Sequence, residues 1–587
     1  RRERRIDARD SRPARGAAER RAALMRASRF GIARIALALL AASATASPAS
    51  GAEPVSDAEP AFTSGVVFHD RNRNGVRDRF DFGIGGVAVS NGLDVVLTDW
   101  RGRYRIAVGN DSIVFVVKPE GWMTPFDVNG LPRFYYVHKP DGSPSQLEFA
   151  GVDPTGPLPE RIDFPLHRQR ERESFRAIVL ADTQPYSLDE LSLLDRDVIE
   201  ELIGSEAAFG ITLGDLVGDD LSLFEPLNRS IGRIGLPWYN AIGNHDLNFD
   251  AASDRDSDES FERVYGPTDY AFAYGKVHFI VLDDVVYAGA KPDGTPGPYE
   301  AGLSQQQLAF VSNYLDTVPR DRLIVIAMHI PFESPSLELR ERDALLARLE
   351  HHPYTLSLAG HNHYQEHRYY GADAAAAGAQ SHHQMVVATA SGSWWLGAED
   401  ELGIPHATMR CGAPNGYAII EFDGSRYAIR FKAARRPPEH QMSIFSPGAA
   451  SAARAAETEI VVNVFNGSER TRVEMRLAVG GDADAVAGTR ETGGVGEAQE
   501  AGATVGIADW IPLRRESRGD PFYLAAIERD LRRNPRPRFF LPPAIESPHL
   551  WVGTLPANPP VGTHAIEVRA IDDHGELAHA RRLIRID

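Results

Sequence analysis

The chain has 587 residues, more than one hydrophobic core can organise, so its length predicts roughly two to four domains. Apolar residues make up 43% and charged residues 25%, as in an ordinary soluble globular protein. The formal net charge is −18 and there is no long basic tract. Tight binding to nucleic acid is therefore not expected, because phosphate backbones require patches of Lys and Arg. Cys411 is the only cysteine, which excludes an intrachain disulfide.

The beginning of the chain reads as an export sequence followed by a linker. Residues 1–24 are crowded with Arg and Ala, and we interpret them as an over-extended N-terminus, with Met25 as the true start. Residues 25–46 combine a basic region, an apolar core and a small-residue cleavage site, which is the pattern of a secretory signal peptide. An uncleaved anchor or a disordered basic arm is the alternative. Residues 47–61 read as a flexible linker, and no later segment has the apolar length of a membrane span.

Residues 62–168 are predicted to form a small all-β domain. A twelve-residue loop in this domain carries oxygen-bearing side chains at positions 1, 3, 5, 9 and 12 and glycine at position 6, as calcium loops do. These candidate calcium ligands are Asp70, Asn72, Asn74, Asp78 and Asp81. The alternative interpretation is an ordinary turn rich in Asn, Asp and Gly.

Residues 174–435 alternate strand-like and helix-like segments, which predicts a layered α/β domain. Five polar motifs in it each follow an apolar, strand-like run: Ala181–Gln184, Leu213–Leu216, Gly243–Asp246, Met328–Ile330 and Gly360–His363. Open α/β sheets place their sites at the carboxyl ends of strands, and Asp, Asn and His are metal ligands. The motifs therefore predict a metal cluster.

Helix starts are marked in the same domain by Ser187–Glu190, which has the spacing of a capping box, and by Ser304–Gln307, which opens another helix. The acidic run from Asp254 to Glu259 is interpreted as a solvated loop. After residue 436 the apolar residues alternate between turn residues, so residues 436–587 are predicted to form a β-sandwich. Within it, the Gly/Ala/Glu-rich residues 479–508 are interpreted as an insertion.

The five motifs, in this order, resemble those of the calcineurin-like metallophosphoesterases. The resemblance covers about residues 174–435. The two flanking domains are similar to the prealbumin-like N-terminal domain and the C-terminal domain of a bacterial subfamily. The resemblance implies an α/β fold in which a central layered β-sandwich metallophosphoesterase domain is flanked by two small all-β domains. It also implies two divalent metal ions, namely manganese, iron or zinc.

The resemblance assigns the candidate site residues by matched position. The first metal site would be formed by Asp182, Gln184, Asp215 and His363. The second metal site would be formed by Asp215, Asn244, His329 and His361, so that Asp215 bridges the two ions. A hydroxide between the ions would attack phosphorus. His245 would contact phosphate and protonate the leaving oxygen, and Asp246 would orient His245 or a ligand.

Gln184 departs from the family pattern, which commonly has His at this position, and this leaves the identity of the first metal open. Asp219 and Asp220 are read equally well as neighbours of the site or as plain surface residues. His382, His383, Trp394 and Trp395 lie between the last motif and the end of the domain. They are candidates for the pocket wall, and core packing is the preferred interpretation for the two tryptophans.

Together these observations predict a periplasmic or secreted phosphoesterase that acts on a small phosphorylated substrate. The motifs do not distinguish between monoesters, diesters and pyrophosphates, and they say nothing about the oligomeric state. The alternative is a non-catalytic surface-binding protein that keeps the metal cluster for structure. The unliganded His245 favours the enzyme, because a purely structural site does not need it. A nuclease is disfavoured by the net charge of −18.

Overall fold

The computed structural model describes residues 61–371, 381–479, 509–533 and 540–587. The predicted signal peptide, the residues before it and the Gly/Ala/Glu-rich insertion fall outside these ranges, apart from the first residue of the insertion. The described chain has a mixed α/β fold, with a central layered domain between two mainly β domains, as the sequence predicts.

The N-terminal domain contains two four-stranded sheets, with strand orders β4-β1-β8-β6 and β3-β2-β5-β7. Their inward residues alternate with exposed ones, as in β4, where every second residue is buried. The strands are β1 (Ala61–His69), β2 (Ala88–Ser90), β3 (Val95–Leu97), β4 (Arg103–Val108), β5 (Ser112–Val116), β6 (Trp122–Met123), β7 (Tyr135–His138) and β8 (Phe164–Arg168).

The central domain is built on a five-stranded sheet, β11-β10-β9-β20-β21, and a six-stranded sheet, β12-β13-β16-β17-β19-β18. Strands β9, β10 and β11 are parallel, and so are β13, β16, β17 and β19. The strands are β9 (Ser174–Leu180), β10 (Phe209–Leu213), β11 (Trp238–Ala241), β12 (Tyr270–Tyr274), β13 (Val277–Val281), β14 (Val285–Tyr287), β15 (Tyr299–Ala301), β16 (Leu323–Ala327), β17 (Tyr354–Ala359), β18 (Glu366–Tyr370), β19 (His382–Val386), β20 (Gly416–Asp423) and β21 (Arg426–Ala433).

The helices of the central domain begin where the sequence indicates. The Ser304 side chain accepts from the Gln307 amide and the Gln307 side chain accepts from the Ser304 amide, so this capping box is complete. At the earlier helix the Ser187 side chain accepts from the Glu190 amide in the same way. The helices are α1 (Leu188–Leu194), which continues through a π-helical stretch (Asp195–Ile199) into one more turn (Glu200–Leu202), α2 (Phe224–Gly232), α3 (Glu259–Tyr265), α4 (Gln305–Leu315) and α5 (Arg342–Leu349).

One continuous buried cluster of side chains joins the N-terminal domain to the central domain. At this boundary Phe115 packs edge-to-face against Phe310, with ring centroids 5.8 Å apart. The buried ammonium group of Lys139 forms an ion pair with Glu259 at the start of α3. Glu259 is itself buried, so the solvated-loop prediction for the acidic run is wrong at this residue. A buried ammonium draws a carboxylate inward because neither charge can be left unpaired.

The C-terminal domain has its own core and two sheets, β22-β24-β28-β27 and β23-β30-β29-β25-β26. It also contains a twelve-residue helix that the alternation did not predict, α6 (Pro521–Arg532). Its start has a clear signal, since Asp520 caps the helix and proline follows at its first turn. The strands are β22 (Met442–Phe445), β23 (Ala449–Ala450), β24 (Glu459–Val464), β25 (Arg472–Val479), β26 (Ile511–Pro512), β27 (Arg514–Arg515), β28 (Leu550–Thr554), β29 (Gly562–Ile571) and β30 (Leu577–Ile586).

Candidate metal centre

The seven predicted metal ligands all lie in loops that follow the carboxyl ends of five parallel strands. Strands β9, β10 and β11 supply the ligands of one sheet, and β16 and β17 supply those of the other. The residues are Asp182 and Gln184 after β9, Asp215 after β10, Asn244 after β11, His329 after β16, and His361 and His363 after β17. The two sheets thus present their polar loops to one another at one edge of the domain.

The backbone is strained at five of these seven residues, which have positive φ angles: Asp182 (46°), Gln184 (40°), Asp215 (49°), His361 (67°) and His363 (52°). L-residues seldom adopt this conformation, and it persists only where the surrounding structure demands it. The loops also approach one another so closely at two glycines that no side chain would fit there. A Cβ atom on Gly243 would lie 2.1 Å from the Asp215 amide nitrogen, and one on Gly360 would lie 2.5 Å from Asp182 Oδ2.

The donor atoms predicted for the second site converge. Asn244 Oδ1 lies 2.9 Å from His361 Nδ1 and 3.1 Å from His329 Nε2, and the two imidazole nitrogens are 3.2 Å apart. Asp215 Oδ1 lies 3.3 Å from His329 Nε2. The ligand atoms of Asp215, His329 and His361 all fall within 4.8 Å of one another, the spacing that a single cation requires. Oxygen and nitrogen donors in this arrangement suit a divalent metal ion.

The residues predicted for the first site are more loosely arranged. His363 Nε2 lies 3.6 Å from Asp182 Oδ1, and both side chains are buried. Gln184 is also fully buried, and its Oε1 atom has no hydrogen-bond partner among the described residues. A buried amide oxygen without a donor is costly, so this atom needs a further partner. A cation bound beside Asp182 would provide that partner, and the donor set therefore fits a second metal ion.

Hydrogen bonds outside the cluster set the protonation of two ligand histidines. His329 Nδ1 lies 2.9 Å from the Leu213 carbonyl oxygen, and His363 Nδ1 lies 2.5 Å from that of Gly392. A carbonyl oxygen can only accept, so each Nδ1 carries a proton, and Nε2 is the ring nitrogen that faces the cluster. The tautomer of a ligand histidine is commonly held in this way.

Burial and mutual charge shift the pKa values of the titratable side chains in the cluster. Burial opposes ionisation of Asp215, but the charges of His329 and His245 outweigh it and lower the Asp215 pKa. Burial raises the pKa of Asp182. It also lowers the pKa of His361 and of His363 to about 3, so both imidazoles are neutral, which is the form that binds metal.

His245 is paired with Asp219, whose Oδ1 lies 2.5 Å from His245 Nδ1. Burial opposes protonation of the imidazole, but the charges of Asp219 and Asp215 outweigh it and raise the His245 pKa to about 9. Asp219 is therefore a neighbour of the site. Asp220, in contrast, caps the short 3₁₀ helix that begins at Leu221. No hydrogen bond joins Asp246 to His245 within the described structure.

Of the two roles predicted for Asp246, orienting His245 or orienting a ligand, its contacts fit the second, because they hold the loop of the predicted ligand Asp215. Its carboxylate oxygens accept from the amides of Leu216, Val217 and Gly243 at 2.9–3.1 Å. It therefore ties the loop that carries Asp215 to the loop that carries His245. The physical reason is that its side chain is fully buried beneath the two loops, where backbone amides are the donors within reach.

Asp284 holds the His329 loop, and the sequence interpretation missed it. Its carboxylate accepts from the amides of His329 and Ile330 at 3.0–3.1 Å, and the residue is fully buried. The same signal that marked the other loops is present here, because Asp283 and Asp284 follow the apolar strand β13.

Three aromatic rings contact histidines of the centre. Trp394 stacks on His363 with ring centroids 3.8 Å apart, which places it at the site. Tyr299 lies edge-on to His361 and Tyr186 edge-on to His245, at 6.2 and 6.0 Å.

The other residues suggested for the pocket wall lie elsewhere. Trp395 is buried and donates from its indole nitrogen to the Thr183 carbonyl oxygen. His382 is hydrogen-bonded to Ser357 and Thr355. His383 is bonded to His367 and Tyr427 instead of to residues of the centre.

Three family models match the chain. The calcineurin-like phosphoesterase model matches residues 175–365, the model of its N-terminal part matches 71–153, and that of its C-terminal part matches 384–502. The chain therefore belongs to the calcineurin-like phosphoesterases and is a metal-dependent hydrolase of phosphate esters. Membership of this family of phosphoesterases argues against the alternative that the protein is a non-catalytic surface-binding protein. No curated protein sequence matches the chain.

Distant solved structures are similar to parts of the chain. The purple acid phosphatase PPD1 from yellow lupin (Lupinus luteus) seeds is 12% identical, with a TM-score of 0.32 over 60% of this chain and 69% of that one. PhoD is 11% identical, with a TM-score of 0.30 over 59% and 82%. The protein TT1561 of Thermus thermophilus is 11% identical, with a TM-score of 0.26 over 43% and 97%.

Proposed function

We propose that the protein is a binuclear metallophosphoesterase in which Asp215 bridges two divalent ions. The second site would use Asn244, His329 and His361, and the first would use Asp182, Gln184 and His363. The observation that carries this proposal is the convergence of the Asp215, His329 and His361 donors within 4.8 Å. Gln184 Oε1 is buried and has no hydrogen-bond partner among the described residues, which supports the first site.

Two bound divalent ions supply charge neutralisation for the phosphate and lower the pKa of water, so that a hydroxide nucleophile is available near neutral pH. The chain's own contribution is to fix the geometry. The strained loops hold the ligand atoms before substrate arrives, so little reorganisation accompanies the reaction. Asp246 and Asp284 hold those loops by accepting from backbone amides on both sides of the cluster.

His245 is proposed as the general acid. Its Nδ1 faces Asp219, so a proton on Nε2 is available for the leaving oxygen of the ester. The His245 backbone amide donates to Asp215 Oδ1 at 2.9 Å, and the charge of Asp215 is close enough to the half-buried imidazole to raise its pKa. This position brings the proton to the centre without using His245 as a metal ligand.

Chelation tests the metal dependence directly. Purified protein stripped of metal should lose hydrolysis of mono-aryl and bis-aryl phosphates, and added manganese, zinc or iron should restore it. The same screen would show whether monoesters or diesters are preferred. Full activity in metal-free protein would contradict the proposal.

We further propose that the protein is exported to the periplasm or secreted and acts there on a small phosphorylated substrate. The support is the signal-peptide pattern of residues 25–46, which lie outside the described residues. N-terminal sequencing of the mature protein should find cleavage near residue 46. None of the helices in the described part of the chain has the length and apolar character needed to cross a bilayer. Calcium binding by the loop from Asp70 to Asp81 stays a prediction.

A further inference from the structure

Two neighbouring loops of the N-terminal domain expose large aromatic side chains to solvent. Phe80 and Phe82 are 66% and 67% exposed in one loop, and Trp100 is 77% exposed in the other. We call residues 70–82 and 99–103 together the basic-aromatic tip. Clustered exposed rings of this size are unusual on a soluble domain and mark a binding surface.

The two loops lie side by side on the same end of the sheet. The Val67 amide donates to the Gly102 carbonyl oxygen, and the Ile84 amide donates to the Val67 carbonyl oxygen, so β1 connects them. A Cβ atom on Gly83 would lie only 1.7 Å from the Arg101 carbonyl oxygen. Phe82 and Trp100, which directly adjoin these two residues in sequence, therefore belong to one surface.

The tip has six exposed arginines but only two exposed carboxylates, Asp78 and Asp99. Asp70 and Asp81 are buried and accept from backbone amides of their own loop. All six arginines of the tip are exposed, and within the described residues none of them forms an ion pair: Arg71, Arg73, Arg77, Arg79, Arg101 and Arg103. An outward cationic surface on a chain of net charge −18 indicates an anionic partner.

The arginines are interleaved with the rings. The Arg101 guanidinium carbon lies 4.3 Å from the centroid of the Trp100 ring, and that of Arg79 lies 5.8 Å from the Phe80 ring. Such pairs keep a cation beside an apolar ring without a carboxylate partner. A partner that contacts the tip would therefore meet apolar surface and positive charge together.

We propose that the basic-aromatic tip binds the surface of a lipid bilayer that carries anionic phosphate headgroups. A soluble polyanion without apolar or aromatic groups would use the arginines but not the rings. The rings protrude from loops, so they fit a deformable surface into which they can insert. Aromatic side chains with adjacent Arg residues are the combination that favours the headgroup region of membranes.

Vesicle sedimentation tests the proposal with the whole chain. Wild-type protein should bind phosphatidylglycerol-containing vesicles and not pure phosphatidylcholine vesicles, and binding should weaken as salt is added. The double variant Phe82→Ala/Trp100→Ala and the double variant Arg77→Gln/Arg79→Gln should each lower the partition coefficient about tenfold or more.

Matched controls are available outside the N-terminal domain. Leu583 is 67% exposed, like Phe82, and Arg430 is an exposed arginine. Leu583→Ala and Arg430→Gln should leave vesicle binding unchanged, and all four variants should hydrolyse a soluble aryl phosphate at the wild-type rate. Three results would each overturn the proposal: no binding to anionic vesicles, equal losses in the controls, or full binding after the rings are removed. The last would indicate a purely electrostatic site for soluble polyanions.

Discussion

The two halves of the candidate metal centre differ in how far the chain has organised them. In the second site Asn244 Oδ1 already lies within 3.1 Å of nitrogens on His329 and His361. In the first site His363 and Asp182 are 3.6 Å apart, and Gln184 leaves a buried oxygen without a partner among the described residues. The comparison indicates that the second site is preorganised, whereas the first is completed by its ion.

The largest loss of turnover is expected when a predicted ligand of the second, preorganised metal site is removed. His329→Ala removes a ligand that faces both Asp215 and Asn244, and the second ion should be lost. Turnover should fall by more than the roughly 100-fold that removal of an outer partner causes. Metal content and steady-state rates are the measurements. His382→Ala is a matched control, because His382 is also a buried histidine but bonds Ser357 and Thr355. Equal loss of metal in both variants would contradict the assignment.

His245 separates catalysis from metal binding. His245→Ala should leave both ions in place while lowering turnover by about 10²–10⁴-fold, because a positioned acid is lost. Esters with poor leaving groups should be affected most, since they need the proton. If the variant loses its metals, His245 is a ligand and the assignment is wrong.

Replacement of Asp219 should also affect proton donation by His245, with a smaller loss of turnover than His245→Ala causes. Its carboxylate raises the pKa of His245 to about 9, so Asp219→Asn should lower that pKa and reduce the protonated fraction at alkaline pH. The alkaline limb of the rate profile should then move to lower pH, with metal content unchanged. Asp220→Asn is the neighbouring control, because Asp220 only caps a short helix. An alkaline limb that does not move would remove Asp219 from the mechanism.

Variants of Gln184 test the difference between the first and the second metal site. Replacing it by Ala should weaken the first site without unfolding the domain, and replacing it by His should shift that site toward zinc or iron, which imidazole favours. The second site should be unchanged in both variants. Occupancy measured by anomalous diffraction at several metal edges checks this. Two ions held as tightly in Gln184→Ala as in the wild type would show that Gln184 is not a ligand.

The smallest effect on turnover is expected at the remote loop of the N-terminal domain. Calcium should raise the melting temperature of wild-type protein, since an ion that binds only the folded state adds stability. Asp70→Ala should abolish that increase, because Asp70 lies inside the loop and is buried. Turnover at saturating substrate should be nearly unchanged. A large loss of turnover would place the loop in the active site.

The sequence predicted the strand-end loops because each motif follows an apolar run, and the sheets do bring all seven residues to one edge. The supporting carboxylates were harder to predict. Asp219 reaches His245, and Asp246 reaches three backbone amides, because of how the loops fold back, which spacing does not encode. Asp284 could have been predicted in the same way as the other loop residues, since it also follows an apolar strand.

The packing of the N-terminal domain against the central domain could not be predicted from the sequence pattern. Alternation shows that a face is buried but not what covers it, so the sandwich could be predicted and its shared core could not. Glu259 illustrates the same point, because its burial depends on Lys139, which lies 120 residues away in the chain. Helix α6 was missed although Asp520 and Pro521 mark its start.

Anomalous diffraction from crystals of the metal-loaded wild-type protein would show directly whether the centre is binuclear and bridged by Asp215. We expect two peaks about 3.5–4 Å apart, one on either side of the Asp215 carboxylate. One peak should lie against Asn244, His329 and His361, and the other against Asp182, Gln184 and His363. A single peak in fully active crystals, or two peaks that Asp215 does not join, would contradict it.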